Sequence, residues 1–242
     1  MKQLKKSFLL FTFVGLFLTS CDELGKLTEP QKVSTQPQFN GSYSVLWALN
    51  TKTTVNTGGI DLGIGETQVD FGTAVASFVD GGKNVSVGKV KVDDTELKME
   101  SNKVYLSPVV LTNPTGLTFG NSVSWSIEGG NGFAAMSYVT KKKFPIITGL
   151  TADATVDRAA SYTVSITSVS NADSIFYGVN DVYKIVAGNI KSVTFTSSQL
   201  SDLKKGSAFV QVAPYNFEIK KNGTRDVVFG NQVAEDLIRR NI

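Results

Sequence analysis

The chain of 242 residues has no histidine, one cysteine, six prolines and three methionines. Without an imidazole there is no Ser-His-Asp or Cys-His nucleophile, no histidine general base and no histidine-ligated zinc. One cysteine forbids a disulfide within the chain. Sustained helical periodicity is also scarce, and the only local run of like charge is Lys141-Lys142-Lys143. What is there is an ordinary globular stock of 41% hydrophobic residues, 22 glycines and 19% charged residues, so disordered, collagenous and disulfide-stapled classes are excluded.

The first twenty residues have their own organisation. Lys2, Lys5 and Lys6 precede the apolar run Phe8 to Leu18, and Leu18-Thr19-Ser20-Cys21 follows. A basic start, about a dozen apolar residues and small residues before a cut is the order of a secretory signal, too short to span a bilayer. Leu18-Thr19-Ser20-Cys21 resembles the lipobox of bacterial lipoproteins. That resemblance implies cleavage before Cys21, lipid on its sulfur and a further acyl chain on its amine. Two or more chains anchor a protein stably where one does not. It further implies a cell-envelope protein of a Gram-negative bacterium, with the outer membrane as the expected address and the periplasmic or surface face left open.

Removing residues 1–20 takes three lysines from 24 basic residues and leaves 21 against 21 acidic ones. The mature chain is neutral, so no electrostatic case for nucleic acid remains. Residues 21–38 are polar, hold Pro30 and Pro37, and read as a lipidated tether. As a flexible coil it would span roughly 20–25 Å.

From Phe39 the pattern has period two. In Tyr43 to Leu49 large side chains fall on odd positions, and Ser122-Val123-Ser124-Trp125-Ser126-Ile127 alternates completely. Such alternation marks strands with one face buried. Val69 to Val79, Val85 to Val92, Lys103 to Leu106 and Ala134 to Val139 extend the series, with turn chemistry at Asp80 to Asn84 and at Asp93-Asp94-Thr95. Residues 39–141 are expected to form one antiparallel β domain, with the lysine run as a solvated connector. In residues 144–242, seven short strands are expected between Tyr162 and Phe229, at the spacing of an immunoglobulin-like sandwich. Leu203-Lys204-Lys205-Gly206-Ser207-Ala208-Phe209 resembles the E-to-F corner of fibronectin type III modules, which implies the same sandwich. The expected fold is thus all-β, two tandem antiparallel β-sandwich domains of immunoglobulin or fibronectin III type. Gln232 to Arg240 reads either as a helix, with Val233, Leu237 and Ile238 on one side, or as a last edge strand.

Candidate chemistry is sparse. Asp93, Asp94 and Glu96 sit at an expected hairpin tip, where water keeps carboxylates ordinary. Asp61 to Glu66 offers oxygen ligands without the spacing of a calcium loop. Gly129 to Gly132 leads into no helix and cradles no phosphate. Trp47 and Trp125 fall on the apolar phase of their strands and are expected in cores. Tyr177, Tyr183 and Tyr215 fall near strand ends and form a candidate ligand platform. Asp173-Ser174-Ile175 resembles a short O-glycosylation acceptor of some Gram-negative bacteria. No catalytic residue, metal or cofactor is expected. The expected function is a non-catalytic, lipid-anchored envelope module for structural or protein–protein interaction. Its partners would be the membrane through Cys21 and an envelope protein. The alternative is an accessory carbohydrate-binding lipoprotein of a glycan-uptake system.

Overall fold

The computed structural model describes residues 41–55, 67–108, 113 and 115–241. The expected signal, Cys21, the tether and the loop from Asp61 to Glu66 lie outside the described residues. The N-terminal half holds β1 (Tyr43–Val55), β2 (Thr67–Asp80), β3 (Lys83–Asn84), β4 (Val90–Val92), β5 (Thr95–Glu96), β6 (Lys98–Met99), β7 (Tyr105–Leu106), β8 (Ser124–Ile127) and β9 (Met136–Val139). The C-terminal half holds β10 (Ile146–Thr148), β11 (Thr151–Ala152), β12 (Thr155–Val156), β13 (Tyr162–Ser165), β14 (Ser168–Ser170), β15 (Ser174–Val179), β16 (Val182–Ala187), β17 (Ser192–Phe195), the single-turn helix α1 (Ser197–Leu200), β18 (Gly206–Asn222) and β19 (Arg225–Asn241). The described residues are all-β apart from that turn.

The long strands build one ten-stranded sheet in the order β16-β15-β18-β19-β1-β2-β7-β6, with β12 and β3 at its margins. Both halves contribute to it. β1 pairs in parallel with β19 from Tyr43↔Asp226 to Thr53↔Asp236, and β19 pairs antiparallel with β18 on its other side. The segment read as helix or edge strand is therefore the end of a strand paired on both sides. The i, i+4 spacing of Val233 and Leu237 suits a helix face and a strand face alike.

Odd positions of β19 explain the layering. Val227 and Phe229 join a core with Leu46, Ala48 and Phe78, closed by Val90, Val92, Trp125 and Ile127 of the four-stranded sheet β5-β4-β8-β9. Val233, further along the same strand and on the same face, joins a second core with Tyr177 and Val212, closed by Val164, Val193 and Phe195 of the sheet β11-β13-β17. Between them comes Asn231, 1% exposed, so the seam between the two cores is polar.

Several sequence expectations are met in detail. Val123, Trp125 and Ile127 are buried while Ser122, Ser124 and Ser126 are exposed. Asp93 and Asp94 both have positive φ, 41° and 65°, as a two-residue hairpin of the primed type demands. Strand β18 runs through Pro214, where the sequence pattern breaks. The pairs Val212↔Glu235 and Tyr215↔Gln232 keep one register across the proline, so the missing N–H costs local bonding without ending the strand.

Candidate functional site

The three tyrosines of the expected platform part company. Tyr177 points into the C-terminal core, is 0% exposed, and donates its hydroxyl proton to the carbonyl of Ile190 at 2.8 Å. Burial pushes its phenol pKa up. Tyr183 and Tyr215 share the opposite face of the long sheet with Phe176 and Trp47, as the pairs Gly178↔Tyr183, Phe176↔Ala213 and Tyr215↔Gln232 require. There Phe176 and Tyr183 stack at 5.4 Å, and Trp47 lies 5.9 Å from Tyr215, its indole N–H donating to Gln232 Oε1 at 2.8 Å. Tyr215 is only 4% exposed and offers no open ring; Tyr183 is half-buried.

The lysine run is not wholly a solvated connector. Lys141 and Lys143 are exposed, but their backbone is held to the long sheet. Glu218 of β18 accepts the amides of Lys141 and Lys142 on Oε1, at 2.6 and 3.0 Å, and the Tyr138 hydroxyl on Oε2 at 2.7 Å. Burial alone would raise its carboxyl pKa. The Lys142 amide, the Tyr138 hydroxyl, the Lys141 amide and the nearby Lys220 outweigh burial, and the pKa falls below its ordinary value. Tyr138 moves the other way, pushed up to about 12 by burial first and then by Glu218. Asn231 donates to the carbonyl of Lys142 at 2.9 Å, and Asn216 to those of Lys143 and Asn171 at 2.7 and 2.5 Å. The Lys142 ammonium contacts both oxygens of Asp173 at 2.7 Å, and Asp173 also accepts the Phe217 amide.

Lys143 and Asn171, whose carbonyls this clasp holds, line a groove of about 560 Å³ between the loop at Phe119 to Asn121, the connector at Lys143 to Ile146, and Asn171. Phe119 and Phe144 stack in it at 5.3 Å and 21°. Phe144 packs against both cores, which ties its ring to the seam. Asn171 donates to the Phe144 carbonyl at 3.2 Å, whereas Asn121 and the Lys143 ammonium make no hydrogen bond or ion pair among the described residues. Among the described residues no carboxylate lines the groove.

Other candidates resolve as structure. Asp93 ties its hairpin turn to the neighbouring strand β8, accepting the Ser124 amide at 2.7 Å. Ser174 of the acceptor-like motif is 1% exposed, beyond reach of a transferase in the folded chain, and Asp173 is engaged by Lys142. Trp47 and Trp125 are buried, at 5% and 0% exposure. Burial raises the carboxyl pKa of Glu235 against the opposing pull of Lys52 and the Leu150 amide. Among the described residues no group of three or more Cys, Asp or Glu is placed to hold a metal, and no helix is long and apolar enough to cross a membrane.

Sequence reading passed over Phe119, Asn121, Phe144 and Asn171. They lie up to 52 positions apart and show no shared spacing; only the folded chain brings them together. No protein-family model and no curated protein matches the chain.

Proposed function

We propose that this chain is a lipid-anchored protein of the bacterial cell envelope whose β body works by interaction and not by catalysis. The observation that carries the reading is the order of Lys2, Lys5 and Lys6, the apolar run, and Leu18-Thr19-Ser20-Cys21, which gives the only sulfhydryl a purpose. Supporting it, Glu218 and Asp173 are engaged by amides, a hydroxyl and an ammonium that hold the connector, a structural use of both carboxyl groups. The architectural part of the reading is two sandwich-like units, the second immunoglobulin-like, and the two separate cores support it. The units then share their long sheet.

The test is cell fractionation of Cys21→Ser. The wild-type chain is expected in the membrane fraction and the variant as soluble or uncleaved material. Equal partition of the two would refute the anchor.

A second reading, an accessory carbohydrate-binding lipoprotein, is favoured by one observation. The groove beside Phe119 and Phe144 pairs an aromatic stack with amide side chains, the mixture that sugar rings and hydroxyls require.

A further inference from the structure

We propose that the groove between Phe119, Asn121, Lys143, Phe144 and Asn171 is a binding site for an acidic oligosaccharide, one bearing carboxylates on its sugar rings. The inference rests on the glycan-binding reading and gives it a site and a ligand charge.

Three observations converge. The first is shape and lining. A groove of about 560 Å³ falls within the size range of small-molecule sites, roughly 300–1,000 Å³. Its aromatic stack supplies apolar surface for the C–H face of a pyranose: both rings are partly buried, Phe119 against the N-terminal core and Phe144 against both cores.

The second is charge. Lys142 and Lys143 are neighbours with different fates. Lys142 is neutralised by Asp173 at 2.7 Å, whereas the exposed Lys143 pairs with no carboxylate among the described residues and borders a groove that no described carboxylate lines. A site with one unmatched cation and no anion selects an anionic ligand, because a charge-assisted hydrogen bond is about twice as strong as a neutral one. Asn121, whose amide is unused among the described residues, adds a donor and an acceptor for hydroxyls.

The third is rigidity. Backbone carbonyls of Lys142, Lys143 and Phe144 are each held by an asparagine, Asn231, Asn216 and Asn171, and the amides of Lys141 and Lys142 by Glu218. An exposed connector needs no such number of ties to stay connected. Their effect is to fix where the Lys143 and Phe144 side chains leave the backbone, and such preorganisation lowers the ordering entropy that binding must offset.

The experiment is calorimetric titration of the soluble Cys21→Ser chain with uronate tetrasaccharides (galacturonan, hyaluronan, alginate) and with maltotetraose as the neutral comparison. The proposal expects uronate binding that weakens with salt and little or no binding of maltotetraose. Lys143→Gln and Phe119→Ala should each weaken uronate binding by about tenfold or more; the exposed Lys143 should leave the melting curve unchanged, whereas Phe119, packed against the N-terminal core, should lower it. Asn121→Asp, a like charge against the ligand on an exposed loop, is the further variant should Phe119→Ala lose its fold, and should weaken binding at low salt. If uronates bind and none of these variants matters, the groove assignment falls while the glycan reading stands. If maltotetraose binds as well as the uronates, the acidic class is overturned. If no sugar binds, the glycan reading falls and the groove assignment with it.

Discussion

Gly230 lies under the indole of Trp47. A Cβ built there would stand 2.1 Å from Trp47 Cε3, closer than real contacts allow. Gly178 stands in the same relation to Phe176, at 2.6 Å from Cε1. On this face of the long sheet, then, two large rings occupy the space that a Cβ would need at two glycines, and the glycine is selected by the ring beside it, not by a special φ. Gly230→Ala should destabilise the protein by about 1–3 kcal/mol, the usual cost of overpacking a buried site. Chemical denaturation followed by Trp47 and Trp125 fluorescence measures it, and an unchanged midpoint would mean the ring moves aside freely. The sequence shows Trp47 on its apolar phase and so predicts its burial correctly. It is silent on Gly230, 183 positions away, because only strand pairing makes them neighbours. The tyrosine platform went astray for a related reason. Position near a strand end does not tell which face a side chain takes, and register puts Tyr177 on the core side and Tyr215 beside Trp47.

Among the elements, β18 and β19 carry most of the organisation. Alternate residues of β19 serve two cores in turn, and the polar residue between them, Asn231, meets Asn216 and the connector. Glu218 is a titratable part of that clasp whose pKa is displaced, with Lys220, Tyr138 and the amides of Lys141 and Lys142 facing it. Its pKa is lowered on folding, so its contribution to stability is complete above the ordinary glutamate pKa and is lost as pH falls through the lower, folded value. Stability measured from pH 7 down into the acid range should therefore decline more steeply in the wild-type chain than in Glu218→Gln, the difference arising below the ordinary glutamate range. Parallel acid limbs would show the clasp to be dispensable. At this scale the period-two pattern revealed most strands, since β8 and β13 alternate cleanly between core and water. It could not reveal that β1 and β19 pair in parallel, because a contact between residues nearly two hundred positions apart leaves no local trace. Nor could it separate helix from strand at Gln232 to Arg240, where the apolar spacing fits both.

As a whole molecule, the described body is a long ten-stranded sheet with three smaller sheets; one face of the long sheet carries two cores, and Phe144 of the groove packs against both. The all-β class was legible from alternation and turn residues. The candidate site was not, since it is assembled from a loop, a connector and a turn that only the folded sheet brings together. The account of location depends instead on about twenty residues before the sheets begin, where the order of charge, apolar run and cysteine is itself the signal. The most direct test is the intact mass of the protein extracted from native membranes. The proposal predicts a chain beginning at residue 21 and heavier than its polypeptide by a diacylglyceryl group on sulfur and a fatty acyl group on the amine. A free thiol at Cys21, on a chain cut elsewhere or uncut, would contradict it.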